Sequence, residues 1–105
     1  MDAILGIDFG TSKIAAVLVD PSDGRLVRAS SRTTEAYIPL KESYKREQDL
    51  LKIDDAFYTC IDELFSGLKV NVVSAGLTGQ MHGILGVDCS GRPVTNFVTW
   101  QDGRG

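Results

Sequence analysis

The chain has 105 residues, 43% of them hydrophobic and 24% charged, with 3 prolines. That is the composition of one small globular domain with a core, not of a disordered segment. Its 11 basic and 14 acidic residues give a net charge of −3, which argues against nucleic acid or an anionic membrane as partner, though not against a local anion site made of backbone amides. No apolar run approaches the roughly 18–20 residues of a membrane span. The start, Met1-Asp2-Ala3-Ile4, lacks the basic-then-apolar pattern of a secretory leader, so a cytoplasmic protein is expected.

Ala3 to Asp8 reads as a short buried strand and Lys13 to Asp20 as a second. They are joined through Gly6-Ile7-Asp8-Phe9-Gly10-Thr11-Ser12-Lys13, which turns on small polar residues and glycine. Such a turn can aim backbone N–H groups and the hydroxyls of Thr11 and Ser12 at one spot, as a nucleotide phosphate requires. Asp8, at the mouth of the turn, is placed to hold Mg²⁺ through water. This is not a Walker loop, which needs Gly-x-x-x-x-Gly-Lys-Ser/Thr opening a helix; β-branched and apolar residues follow here. An ordinary β-hairpin with Gly, Thr and Ser in its turn is the other reading of this stretch.

Pro21-Ser22-Asp23-Gly24 is a strong turn signal. Arg25 to Thr33 then alternates roughly as a third, antiparallel strand, which makes the first third of the chain a three-stranded meander. Thr34 to Arg46 is polar and broken by Pro39, and reads as an extended surface connection with no firm structure. Asp49 is a good N-cap for a helix whose apolar face is Leu50, Ile53, Phe57, Cys60/Ile61, Leu64 and Leu68, stopped by Gly67. Asp54, Asp55, Asp62 and Glu63 fall mostly off that face and read as solvated residues, not as a catalytic pair. Val70 to Leu77 is a further strand, and entry from a helix favours parallel pairing with an earlier strand. Thr78 to Gly83 forms a polar, glycine-rich loop. Ile84 to Val87 and Pro93 to Trp100, either side of the Asp88-Cys89-Ser90-Gly91 turn, suggest another pair of strands. Cys60 and Cys89 suit neither a disulfide scaffold nor a zinc site and read as reduced thiols.

The one histidine stands in Gly79-Gln80-Met81-His82-Gly83, past the carboxyl end of a strand, where open parallel sheets bind ligands. Gln80 and His82 can bind hydroxyls, and the flanking glycines admit a ligand to the backbone. Trp100-Gln101-Asp102-Gly103-Arg104 follows another apolar strand. Trp100 offers a face for the C–H side of a sugar, and Asp102 and Arg104 can bind hydroxyls or phosphate. Taken singly, a loop histidine is more often structural, and an Asp-Gly-Arg is more often a turn.

In this order the motifs carry more. Gly6-Ile7-Asp8-x-Gly10-Thr11, then Glu47-Gln48-Asp49 opening a helix, then Gly79-Gln80-Met81-His82-Gly83, then Trp100-Gln101-Asp102-Gly103-Arg104 resembles the start of the FGGY carbohydrate kinases. The look is closest to the xylulose kinase and sedoheptulose kinase branches, and the ending leans toward the latter. The resemblance implies an α/β fold, the N-terminal portion of a ribonuclease H-like, actin-like ATPase domain. It implies transfer of the γ-phosphoryl of ATP to a ketose hydroxyl, with Mg²⁺. By that likeness Gly10, Thr11 and Ser12 meet the nucleotide phosphates and Asp8 places the metal. Met81 and His82 match a substrate-contacting pair, Gln80 beside them counts as a substrate residue, and Trp100, Asp102 and Arg104 line or brace the sugar site.

One departure stands out: many relatives carry a lysine where this chain has Ala15, and Lys13 does not take its place. The aspartate that serves the family as general base has no match here, and members are several times longer than this chain. Residues 1–105 are therefore expected to be the N-terminal part of the first lobe, inactive alone, and able to self-associate through surface left uncovered. A complete binding module for phosphate or sugar, and an actin-like ATPase with a protein partner, are the competing hypotheses.

Overall fold

The computed structural model describes residues 1–104. The strands are β1 (Asp2–Phe9), β2 (Lys13–Val19), β3 (Leu26–Thr33), the short β4 (Glu47–Gln48), β5 (Asn71–Gly79) and the short β6 (Phe97–Val98), with helix α1 at Leu50–Phe65. The main sheet runs β3-β2-β1-β5. β1 is antiparallel to β2, from Ile4↔Val19 to Phe9↔Ile14, and parallel to β5, from Asp2↔Asn71 to Phe9↔Gly79. This is the expected meander with a crossover through a helix, which brings β5 beside β1.

Alternation along the strands decides the core. Ala3 and Ile7 of β1 and Ile14, Ala16 and Leu18 of β2 point to one face, where Ala56, Cys60 and Leu64 of α1 bury them. Phe57 stacks on Phe9 with ring centroids 5.2 Å apart. Asp49 caps α1 by accepting from Leu51 N–H at 3.0 Å. At the other end Arg28 Nη1 donates to the Leu64 carbonyl at 3.3 Å, satisfying a last-turn carbonyl that no helical N–H reaches. Gly67 follows with φ +71, a left-handed value that favours glycine. Cys60 and Cys89 are free thiols, and no helix is long and apolar enough to cross a membrane among the described residues.

The structure departs from the sequence reading in three places. The 34–46 connection is extended as read but is anchored: Asp49 N–H donates to Ala36 O (2.8 Å) and Ile38 N–H to Glu47 O (3.0 Å), and Ala36 is buried. β5 begins one residue later than expected and continues to Gly79, because β1 offers pairing as far as Phe9↔Gly79. The last pair of strands shrinks to β6, whose ladder partner is β4; of residues 84–87 only Ile84 bonds to it, through one bridge. Ile84↔Val98 and Val87↔Pro93 remain isolated bridges. Pro93 has no N–H to donate, and the Thr95 hydroxyl intercepts the Gly86 N–H at 2.8 Å.

α1 leans over β2 and β3 and leaves β5 bare. Every residue of β5 is exposed. Among the described residues no helix covers the opposite face of the sheet.

Candidate functional site

Gly10, Thr11 and Ser12 span the gap between β1 and β2. The turn closes when Gly10 N–H donates to Lys13 O at 2.9 Å. A Cβ on Gly10 would stand 2.8 Å from Lys13 O, closer than backbone and side chain can approach, so this position requires glycine. The Gly10 amide is spent inside the turn; what the residue offers a ligand is the absence of a side chain. Ser12 is exposed, and its carbonyl is held from below by the Thr34 N–H (2.9 Å) and hydroxyl (3.3 Å). No protein group accepts from the Thr11 or Ser12 N–H among the described residues, so both amides remain available for an anion.

Asp8 is exposed at the end of β1, on the face away from α1, opposite Ala15 of β2 and Thr78 of β5. Beside it lies a hollow of about 380 Å³ floored by Gly6 and Gly76. Ala15, with only a methyl side chain, lines that hollow. Among the described residues no three His, Cys, Asp or Glu side chains gather as a metal cage. A lone carboxylate beside a phosphate turn fits Mg²⁺, which keeps its waters and takes the remaining oxygens from the ligand's phosphates.

The residue 79–83 and 100–104 motifs converge from the other direction. Gln80 N–H donates to Phe9 O at 3.0 Å, which sets the residue 79–83 loop against the end of β1. His82, Trp100, Asp102 and Arg104, with Ile84, Val98 and Thr99, line one hollow of about 480 Å³. His82 has φ +60, and a Cβ on Gly83 would run into the Phe97 ring, so glycine there lets the loop fold closely over β6. Two expected substrate residues stand apart from this hollow. Met81 is 71% exposed and is not part of the lining. Gln80 turns its amide inward, donating to Gln48 Oε1 at 3.0 Å.

Asp102 and Arg104 are engaged with each other. The Arg104 Nε and Nη2 grip the Asp102 carboxylate at 2.8 and 2.7 Å, a bidentate fit. Nη2 also reaches Glu47 Oε2 at 2.7 Å, and Arg46 N–H donates to Asp102 at 2.8 Å. The Arg104 hydrogen bonds hold the Asp102 carboxyl well below the usual carboxylate range, against the opposing effect of desolvation. The two carboxylates, Asp102 foremost, push Arg104 further above its ordinary value. Glu47 is lowered by the Asn96 amide first and Arg104 second. The pair thus braces the wall of the hollow, while His82 and Trp100 keep faces free for a ligand.

Glu47 and Gln48 carry no site role in their sequence motif, yet both join this cluster of bonds. Their signal is position: they directly precede the N-cap Asp49, so the start of α1 fixes them, and β4 pairing with β6 carries them to the site.

The profile described as the FGGY family of carbohydrate kinases, N-terminal domain, matches residues 3–105. The chain belongs to this family. It is 36% identical over 124 residues to a sedoheptulokinase of Mus musculus, covering 95% of this chain and 26% of that protein. It is 32% identical over 106 residues to a xylulose kinase of Staphylococcus epidermidis, covering 98% and 21%. A ligand-bound xylulose kinase from Lactobacillus acidophilus superposes with a TM-score of 0.83 at 26% identity, over 97% of this chain and 20% of that one. The fold of this FGGY chain is accordingly the ribonuclease H-like, actin-like one. The chain spans about a fifth to a quarter of the length of these relatives.

Proposed function

We propose that the chain is the N-terminal part of the first lobe of an ATP-dependent ketose kinase. Thr11 and Ser12 offer amides and hydroxyls to the phosphates, Gly10 shapes their seat, and Asp8 holds Mg²⁺. When bound, that metal neutralises charge on the phosphoryl oxygens. His82 and Trp100 face the sugar, Met81 stands at its rim, and Gln80, Asp102 and Arg104 hold the loops in place. One observation carries this reading: Trp100 Nε1 donates to the Thr11 hydroxyl at 3.0 Å. A residue of the sugar hollow thus touches the phosphate turn, and phosphoryl transfer is chiefly a matter of setting donor and acceptor side by side.

The similarity to a sedoheptulokinase and a xylulose kinase supports a ketose as substrate. Free Cys60 and Cys89 fit a reducing, cytoplasmic setting. With Asp8 given to the metal and Asp102 gripped by Arg104, the general base is expected from the rest of the protein, and this stretch by itself is expected to be inactive.

The test is a coupled ADP-release assay on the intact protein with ATP, Mg²⁺ and a panel of ketoses that includes xylulose and sedoheptulose. Ketose-dependent turnover, lowered at least about 100-fold by Asp8→Ala, is expected. Asp8 is exposed, so that variant should fold normally. A folded protein with no ketose-dependent turnover would move the reading to a binding module or a protein-partnered ATPase.

A further inference from the structure

Gln48 is fully buried, with 0% exposure. Burying a primary amide costs stability unless each of its groups finds a partner. Its Nε2 donates to the Thr11 carbonyl at 2.8 Å, and its Oε1 accepts from Gln80 Nε2 at 3.0 Å. A carbonyl can only accept, so Thr11 dictates which way the Gln48 amide faces, and that in turn dictates the orientation of Gln80.

These bonds are part of a longer chain with one consistent direction. Trp100 Nε1 donates to the Thr11 hydroxyl, and that hydroxyl donates to Gln80 Oε1 at 3.5 Å. Gln80 donates to Gln48, and Gln48 donates back to the Thr11 backbone. Among the described residues no buried side-chain nitrogen or oxygen lacks a partner. Hydrogen bonds that run in one direction polarise one another, and a fully satisfied network holds a single geometry. Gln48 sits inside the loop of bonds, on β4 ahead of α1, shut off from solvent.

We propose that Gln48 is a positioning residue that couples the two half-sites. A sugar that settles on His82 and Trp100 fixes the residue 79–83 loop. Through Gln80 and Gln48 that fixes the carbonyl of Thr11, and with it the direction of the amides that meet the phosphates. Sugar and nucleotide then bind cooperatively. This rests on the carbohydrate-kinase reading above and adds a regulatory link to it.

The experiment measures the affinity of the intact protein for AMP-PNP, by calorimetry, with and without the ketose that the turnover assay identifies. In the wild type the ketose is expected to tighten the nucleotide by about 5-fold or more, a usual size for coupled sites. Gln48→Glu keeps the shape but puts a carboxylate oxygen against the Thr11 carbonyl, and should bring that factor close to 1 while the ketose still binds. Gln80→Leu breaks the chain at a half-buried position that the fold tolerates better, and should do the same. A merely structural role would lower stability or both affinities and leave the coupling factor intact. Wild-type turnover together with a coupling factor kept in Gln80→Leu, or absent from the wild type, overturns this inference alone. A wild type without ketose-dependent ADP release overturns the kinase reading and this inference with it.

Discussion

The indole N–H of Trp100 donates to the hydroxyl of Thr11 at 3.0 Å, across 89 positions of chain. Trp100→Phe keeps an aromatic face toward the hollow and removes the donor. A single neutral hydrogen bond is worth about 0.5–1.5 kcal/mol net, or roughly a 2- to 13-fold change in affinity. Nucleotide affinity should fall within that range, with little change in melting temperature because Trp100 is half exposed. Titration of AMP-PNP into both proteins checks it.

The Asp102–Arg104–Glu47 cluster sets an acid limit on the hollow lined by His82 and Trp100. Asp102 lies below its ordinary 3.8, held there first by Arg104, and Glu47 lies below 4.5, held by Asn96 and then Arg104. A depressed carboxylate takes its proton more readily unfolded than folded. Its contribution is therefore fully present above the ordinary value and is lost as pH falls through the folded-state pKa. The hollow should stay intact down to the ordinary carboxylate values and open only below them. Arg104→Ala should start that loss at higher pH. Fluorescence of Trp100, the one tryptophan of this stretch, followed during acid titration against a Trp100→Phe control, checks both statements.

The bare flank of the sheet predicts self-association of this stretch when it is produced alone. Val73 is 51% and Leu77 71% exposed on β5, and they lie on the helix side of the sheet where α1 does not reach. An apolar edge strand with free backbone groups invites pairing with another copy. Sedimentation should show dimers or larger species, reduced by Leu77→Lys. A monomer at high concentration contradicts this.

Much of the fold was legible because local signals agreed with one another. Ile14, Ala16 and Leu18 alternate, Asp49 caps, and the strand after the helix had to return beside an earlier one. The turn between β1 and β2 was legible for the same reason, since Gly10 sits where only glycine fits. The anchoring of residues 34–46 was not legible, because it depends on carbonyls of Ala36 and Glu47 that no side-chain pattern advertises. The loss of the last strand pair hinged on one hydroxyl, that of Thr95, reaching a backbone amide. Gln80 was expected to face the sugar. Its amide is drawn inward instead by Gln48, 32 positions earlier in the chain, a pairing that sequence spacing cannot announce. Asp102 and Arg104 were read as able to line or brace the site, and their spacing of two residues lets them brace it through each other.

The most direct measurement is ³¹P NMR of the intact protein with ATP, Mg²⁺ and a ketose, which follows where the γ-phosphoryl goes. A sugar phosphomonoester resonance should grow as the γ-phosphate resonance declines, and should be missing with Asp8→Ala. Release of inorganic phosphate alone, or no change in the spectrum of a folded protein, would contradict it.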